Sequence, residues 1–407
     1  MSGKFPYSGD SAPEFAAGTP SLLRAINERS LLELIRRDGA MSRAEAARRS
    51  GLSKPTVSQA LLGLEGAGLV HQAGRSQGPK GPGAVVYSLN PESGWVVGID
   101  VGSHWVRAAL ADITGTVRAR RDERTRRTAT VAQISGLAHG LASERGISWS
   151  QVTHATVGLP GVLDPSRTHL ALSPNLPGGK QGLVEALRAD LGGKISFDND
   201  VNLAALGERA RGVGQGTDNF VFLWVGTGIG LGIVVDGQLY RGAAGAAGEI
   251  AYLPVGPGDP HDPAYRRRGQ LEESASAAAA RRLARDHGLR PASPKSVFAA
   301  ARKGDPAAAE VVELIAARIA LAIAAVVPVL DPALVILGGG IAGNAGDLLL
   351  APIERELHRI SPFRPRLAVS ALGDEVVLHG AVATALAAAQ ETLFSRMPIA
   401  ITGGEAR

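Results

Sequence analysis

Residues 195–208 read ISFDNDVNLAALGE, and the character of the sequence changes in the middle of this stretch. Its first residues predict a strand and its last ones a helix, so Asn199, Asp200 and Asn202 stand where a strand ends. A carboxylate there can act as a general base toward a hydroxyl, and the amides offer donors and acceptors to a polyhydroxy ligand. The alternative is that Asp200 or Asp198 merely caps the helix.

Upstream of this junction the sequence predicts a half domain in which glycines follow two strands. The first strand ends in Asp100-Val101-Gly102, and a later one runs into Gly158-Leu159-Pro160-Gly161. The predicted elements, in order, are strands at 95–102, 106–112 and 116–120, a helix at 130–145 and a strand at 153–157.

The downstream half repeats this pattern. A strand at 220–225 runs into Gly226-Thr227-Gly228-Ile229-Gly230, strands at 231–235 and 238–240 are joined by Asp236-Gly237, and a strand at 335–337 precedes three glycines. Two lobes that each present a glycine loop suggest a cleft for a phosphorylated or polyhydroxy ligand.

The first ninety residues have a different pattern, typical of a helix-turn-helix. A helix at 22–37 is followed by Ser42-Arg43-Ala44-Glu45, which predicts a capping box, by a short helix to about Ser50, and by a turn at Gly51. The next helix begins after Ser53 and has Pro55 in its first turn. We expect its outward face to contact DNA through Ser53, Lys54, Thr56, Ser58 and Gln59.

A basic hairpin follows this helix and is typical of a wing. Strands beginning at Gly68 and ending at Leu89 flank a glycine-rich tip, in which Arg75 and Lys80 are expected to contact phosphate or the minor groove. Residues 1–90 hold eleven Lys/Arg and seven Asp/Glu, so 11 − 7 = +4 of the chain's +5 net charge lies here. The alternative is a small helical domain with a surface hairpin.

The chain resembles the ROK family of repressors and sugar kinases. The resemblance rests on 100–102, 158–161, 199–202, 226–230, Ser173-Pro174-Asn175-Leu176 and Gly248-Glu249-Ile250. It implies an α/β fold: an N-terminal winged helix-turn-helix plus a two-lobed, actin-like (ribonuclease-H-like) sugar-kinase fold. The sugar contacts that it implies are Asn175, Asn199, Asp200, Glu249 and Glu272, with Asp200 as the base of the kinases. The phosphate segments that it implies contain Asp100, Gly102, Gly226, Thr227 and Gly228.

Two departures from the family pattern predict that ATP and zinc are not cofactors. Ser103 and His104 replace the glycine and threonine of the first phosphate segment, and His104 is bulkier than either. Tyr252 replaces the histidine ligand of the family's zinc site, and the chain contains no cysteine, which also excludes disulfides and thiol catalysis. The loop before Glu272 must then be held by packing, by ligand or by a partner subunit.

These features together predict a sugar-responsive DNA-binding repressor, with a disordered tail at 1–20, the winged domain at 21–90, the effector domain at 91–395 and a tail at 396–407. Its partners would be operator DNA, a small sugar and further copies of itself, as a dimer or tetramer. The alternatives are an ATP-dependent sugar kinase that also binds DNA, and a regulator that responds to a protein partner.

No membrane partner is expected, and we predict a cytoplasmic protein. The first twenty residues lack the apolar region of a secretory signal. The most apolar stretch, 319–330, is too short to span a bilayer and is interpreted as a buried helix. The wider apolar segment 311–327 is open to two interpretations, burial within one subunit or a subunit interface.

Overall fold

The structure is a computed structural model, and it describes residues 20–76, 83–126, 130–173, 182–290 and 293–395. The chain forms two compact units. The first consists of Met1–Ser93 together with Glu391–Arg407, and the second of Gly94–Gln390.

The described part of the first unit contains three complete helices and a small sheet. The helices are α1 (Pro20–Asp38), α2 (Arg43–Ser50) and α3 (Lys54–Gly66), and the strands are β1 (Met41–Ser42), β2 (Val70–Arg75) and β3 (Val85–Leu89), in the order β1-β3-β2. Leucines of α1 and α3 form the core with Tyr87 of β3, which is 1% exposed. This burial fixes α3 against α1 and leaves its other face outside.

The turn between α2 and α3 forms as predicted, but the capping box forms only in part. Gly51 ends α2 with a left-handed φ of 71°, and its amide donates to Ala47. Ser42 accepts from the amide of Glu45 at 3.3 Å. The Glu45 side chain, which was predicted to return this bond, accepts from Arg49 at 2.7 Å instead, because a guanidinium one turn along offers a stronger, charge-assisted partner.

The second unit is built on two five-stranded sheets of the same topology. Numbered in chain order within each sheet, the strands lie side by side as fifth, fourth, first, second and third. The first sheet has the order β10-β7-β4-β5-β6, and its strands are β4 (Trp95–Val101), β5 (Trp105–Asp112), β6 (Val117–Arg124), β7 (Val152–Leu159) and β10 (Ile195–Asn199). The second has the order β13-β12-β11-β14-β15, and its strands are β11 (Phe220–Val225), β12 (Ile229–Val235), β13 (Gln238–Leu239), β14 (Leu334–Gly338) and β15 (Arg366–Val369). In each sheet a central strand pairs antiparallel with the next strand and parallel with a later one.

The remaining elements of this unit are helices and one short hairpin. The hairpin consists of β8 (Val162–Leu163) and β9 (Leu170–Leu172). The helices are α4 (Thr130–Glu144), α5 (Leu183–Leu191), α6 (Asp200–Arg211), α7 (Tyr265–Arg268), α8 (Gln270–Ala275), α9 (Ala277–Asp286), α10 (Pro294–Arg302), α11 (Pro306–Leu330), α12 (Gly339–Ala345), α13 (Asp347–Ile360) and α14 (Val376–Ser395).

Helices α6 and α14 cross each other at two glycines. A Cβ built on Gly380 of α14 would overlap the carbonyl oxygen of Leu203, and one built on Gly207 of α6 would overlap that of Val376. Glycines of the sheets also allow close approach, since a Cβ on Gly98 of β4 would lie 2.6 Å from the Val382 side chain. Backbone therefore packs directly on backbone where the two helices cross.

The apolar stretch 319–330 belongs to a longer helix than the sequence indicated. Helix α11 has 25 residues, and Pro328 lies in its last turn, where it leaves the helix intact. By length and composition α11 and the segment Gly373–Leu393 are both long enough to cross a membrane, so the prediction that the stretch is too short is wrong. Its apolar residues pack on the second sheet, with Ile315 and Ile319 at 0% and 2% exposure.

The helix crossing predicts opposite effects for two glycine-to-alanine changes. Gly380→Ala should lower the free energy of unfolding by about 1–3 kcal/mol or more, because backbone atoms must move apart. Gly136→Ala, in α4 with open space around the new methyl group, should raise it by about 0.5–1 kcal/mol through helix propensity. Urea denaturation of both variants checks this, and equal effects would contradict the close crossing.

Candidate functional site

A cavity of about 590 Å³ lies in the second unit and is lined by residues of both sheets. Nine of the residues predicted from the sequence line it: Asp100, Gly102, Asn199, Asp200, Gly226, Thr227, Gly228, Glu249 and Glu272. The tenth, Asn175, lies outside the described residues. The two glycine loops and the β10–α6 junction thus face one space, as expected where strand ends of both sheets meet.

The β10–α6 junction has three consecutive polar residues, Asp198, Asn199 and Asp200, of which one caps the helix. Asn199 is the helix cap, since its Oδ1 accepts from the amides of Val201 at 2.8 Å and Asn202 at 3.0 Å. The alternative that Asp200 or Asp198 is the cap is therefore wrong. The Asn199 amide also donates to Gly161 at 3.0 Å, so this side chain ties the junction to the neighbouring glycine loop.

Three carboxyl groups, those of Asp200, Glu249 and Glu272, line the same cavity. Burial, with smaller contributions from Asp100 and Glu249, raises the pKa of Asp200 to about 7. Burial likewise raises the pKa of Glu272 to about 7 and also raises that of Glu249. Glu272 accepts from the amide of Ile229 at 3.2 Å, which fixes it beside the second glycine loop. Carboxyl groups in this state gain from hydroxyl donors that replace the lost water.

Asp100, in the first segment predicted to contact phosphate, is bonded within the protein itself. Asp100 is 5% exposed, and its Oδ2 accepts from Arg107 at 3.1 Å. Burial nevertheless raises the pKa of Asp100 to about 6. The exposed Ser103 Oγ lies 2.9 Å from His104 Nδ1, so neither side chain continues the glycine-rich turn.

The sequence did not single out several residues that line the same cavity. Arg107 lies beside Asp100, Lys295 follows the cap of α10, and Trp224 stands at the end of β11. Lysine or arginine on a strand or helix is common on protein surfaces, so no local signal marked them. They face the cavity because strands and helices distant in sequence meet there.

The loop that leads to Glu272 is held by an amide. The Nε2 of Gln270, a residue that is 4% exposed, lies 3.0 to 3.3 Å from the carbonyl oxygens of Gly256, Pro257 and Gly258. Tyr265 donates to Pro257 at 2.9 Å. Packing, ligand and a partner subunit were the three possible ways of holding this loop, and packing within the chain is present.

A zinc ion does not fit this loop. Across the described ranges, no cluster of three or more His, Cys, Asp or Glu side chains could hold a metal ion. Tyr252 lies where a histidine ligand was expected, and its hydroxyl faces the carbonyl of Arg267 at 3.4 Å. Carbonyl oxygens that accept from Gln270 are poor zinc ligands compared with thiolates and imidazoles.

The predicted DNA-contacting residues lie at the start of α3 and on the hairpin. Ser53, Lys54, Gln59 and Arg75 are exposed, while Thr56 and Ser58 are half-buried. Ser53 also caps α3, because its Oγ accepts from the amide of Thr56 at 3.3 Å. Lys80 lies outside the described residues. Lys54 is the one lysine or arginine of α3, so it supplies the positive charge of that helix.

Two family models match the chain. One, described as the ROK family, covers residues 96–388. The chain belongs to the ROK family. The other, described as an IclR helix-turn-helix domain, covers residues 29–74 and confirms the predicted motif.

Relatives of known function fall into two groups. The xylose repressor of Bacillus subtilis (strain 168) is 26% identical over 238 residues, which are 58% of this chain and 62% of the repressor, less than two thirds of its length. The glucokinase of Halalkalibacterium halodurans is 31% identical over 312 residues, which are 70% of this chain and 93% of the kinase.

A solved structure gives the same architecture. A ROK family transcriptional regulator, described as a homolog of the Escherichia coli MLC protein, matches with a TM-score of 0.76 at 22% identity, covering 93% of this chain and 99% of that one. The predicted fold class, a helix-turn-helix domain followed by the two-lobed actin-like fold, is confirmed.

The raised pKa of Asp200 predicts a pH-dependent gain in stability when its charge is removed. The folded state holds this proton more tightly than the unfolded chain, so ionisation costs stability above pH 7, and the cost shrinks as the pH falls toward the ordinary value. Asp200→Asn should raise the free energy of unfolding at pH 8 by on the order of 1–3 kcal/mol, and by less than half of that at pH 5.

Urea denaturation at both pH values measures this effect, with the exposed Asp190→Asn as the matched control. The control should change stability little at either pH. A gain from Asp200→Asn that is the same at pH 5 and pH 8 would show that the buried charge is not its cause.

The Gln270 contacts predict a large effect for a nearly isosteric change. Gln270→Glu puts acceptor oxygens against three carbonyl oxygens and should cost about 2–4 kcal/mol near pH 8, with partial recovery in acid as the new carboxyl regains a proton. The same change at Gln151, whose Oε1 accepts from the amide of Ser148 at 2.9 Å, keeps the acceptor and should be tolerated. Thermal unfolding at pH 5 and pH 8 distinguishes the two.

Proposed function

We propose that this chain is a cytoplasmic, sugar-responsive DNA-binding transcriptional repressor of carbohydrate-metabolism genes. The observation that carries the proposal is the combination, in one chain, of a helix-turn-helix unit and a cavity with three convergent carboxyl groups. The similar xylose repressor supports this function for the whole chain, and the solved ROK regulator has the same architecture.

The ligand is a small sugar that binds beside the three carboxyl groups of the cavity. Asp200, Glu249 and Glu272 accept hydrogen bonds from its hydroxyls, and such charge-assisted bonds are shorter and stronger than neutral ones. Asn199 offers the amide hydrogen that its bond to Gly161 leaves free. Asn175 is expected to complete the contacts.

The DNA contacts come from α3 and the wing. We expect base edges and phosphates in the major groove to be met by Ser53, Lys54, Thr56, Ser58 and Gln59, because short polar side chains near a helix start can approach the groove closely. Arg75 and Lys80 would reach phosphate or the minor groove from the hairpin. A homodimer or homotetramer would pair two such units on two half-sites.

A sugar kinase is the second candidate, and two observations favour it. The glucokinase of H. halodurans is similar over most of its length, and burial raises the pKa of Asp200 to about 7, a suitable value for a general base. Against it, Asp100 already accepts a hydrogen bond from Arg107. In addition, Ser103 and His104 stand where the family pattern has residues that would approach a phosphate. We therefore infer that phosphoryl transfer is absent or very slow.

The sugar acts by shifting the equilibrium between arrangements of the protein that bind operator differently. A ligand can change DNA affinity only by as much as its own affinity differs between those arrangements. Residues of both sheets line the cavity, so its width depends on the distance between the sheets. A sugar that bridges Asp200 and Glu249 therefore favours one distance over others.

Two variants should separate sugar response from DNA binding. Asp200→Asn should weaken the response to sugar about ten- to a hundred-fold, from the loss of a charge-assisted bond, and leave operator binding by the free protein intact. Lys54→Ala should do the reverse: weaker operator binding with a smaller salt dependence and unchanged sugar affinity.

The operator is a duplex selected from a random library by the unmutated protein, and the sugars are D-xylose, D-glucose and N-acetyl-D-glucosamine. Fluorescence anisotropy follows release of the duplex, and ADP formation from ATP with the same sugars tests the kinase alternative. The exposed Lys303→Ala serves as the control for charge. Failure to select any duplex, or a response that Asp200→Asn leaves unchanged, would contradict the proposal.

A further inference from the structure

Arg241 and Asp198 form an ion pair that joins the two sheets of the effector domain. The guanidinium donates from Nε at 3.1 Å and from Nη2 at 2.6 Å to the same oxygen, Oδ2 of Asp198. Asp198 is the last but one residue of β10, an edge strand of the first sheet, whereas Arg241 follows β13 of the second sheet. The Asp198 side chain is 4% exposed and that of Arg241 is 31% exposed, so water screens the pair from the arginine side only.

The carboxylate that Arg241 contacts is itself fixed. Its other oxygen, Oδ1, accepts from the amide of Asn199 at 3.0 Å and from Nδ2 of Asn202 at 3.3 Å. The nearest second cation is Arg167, whose Nη1 lies 3.8 Å from Oδ2. Asp198 therefore offers a rigid anchor at the same junction that carries Asp200.

Arg241 begins a tightly folded segment that ends at Glu249. The carbonyl of Arg241 accepts from Ala247 at 3.1 Å, and the carbonyl of Gly248 accepts from Leu231 at 2.9 Å. A Cβ on Gly245 would overlap the carbonyl oxygen of Leu163, and one on Gly248 would overlap that of Leu231 in β12. Because the segment between Arg241 and Glu249 is short and constrained, the position of Arg241 determines that of Glu249.

We propose that Arg241 is a positioning residue, whose ion pair with Asp198 holds Glu249 opposite Asp200 in the cavity. Asp200 and Glu249 repel each other when both are ionised, and the ion pair between the segments that carry them opposes their separation. The two carboxylates then meet one sugar from opposite sides. This inference rests on the proposed sugar-binding role of the cavity.

A double-mutant cycle tests whether Arg241 acts through Glu249. Affinity for D-xylose, D-glucose and N-acetyl-D-glucosamine is measured by calorimetry. Arg241→Gln should weaken binding of the sugar that binds best at least ten-fold, and Arg241→Lys, which keeps the charge, should recover most of that loss. In a Glu249→Gln background, Arg241→Gln should cause little further loss.

The matched control is Arg118→Gln. Arg118 makes an ion pair of the same 2.6 Å length with Asp112, which is 0% exposed, and neither residue lines the cavity. This variant should leave sugar affinity unchanged. Equal losses from Arg118→Gln and Arg241→Gln, or a loss from Arg241→Gln that persists undiminished without Glu249, would overturn the proposal.

Hydrogen exchange without any sugar provides a second readout. In Arg241→Gln the amides of residues 242–252 should exchange faster than in the unmutated protein, whereas Arg118→Gln should leave them unchanged. If the unmutated protein binds none of the three sugars, the proposed function fails for that panel, and exchange alone decides the role of Arg241. Unchanged exchange in Arg241→Gln would then overturn it.

Discussion

The crossing of α6 and α14 at Gly207 and Gly380 is the contact on which the rest of the effector domain depends. Since no side chain separates the two helices there, they approach to backbone contact, and each also lies against a glycine-bearing strand of one sheet. Helix α6 begins at Asp200, and Val377 near the start of α14 lines the cavity. The crossing therefore fixes how far apart the two walls of the cavity stand.

The cavity is assembled at a cost to the stability of the fold. Burial raises the pKa values of Asp200 and Glu272 to about 7, so their ionised forms are unfavourable until further donors reach them. Structural carboxylates elsewhere behave differently: the Asp164 carboxylate accepts from backbone amides and hydroxyls, which lower its pKa. Groups left short of partners in a cavity are typical of a binding site.

The sequence predicted what depends on local patterns and missed what depends on distant partners. Strand β11 has the predicted limits, and Asp236-Gly237 makes the predicted turn, with positive φ at both residues. Three polar residues in a row at 198–200 did not reveal which one caps α6, because that depends on how the chain leaves the strand. Arg241 went unnoticed because its partner lies 43 positions away. Asn175 and Lys80 stay predictions.

The loop before Glu272 is held by Gln270 and not by the zinc ligands that the family resemblance implied, which fits the change of arrangement required by the proposed function. A structural zinc site binds with many kilocalories per mole and locks its loop, whereas each hydrogen bond of an amide contributes about 1 kcal/mol. The loop before Glu272 is then held by contacts that are each weak compared with a metal–ligand bond. Under the proposed function, sugar binding at Glu272 would add to these weak contacts, and the same loop that completes the cavity would report its occupancy. A permanently ordered loop would bind sugar more tightly but would respond to it less.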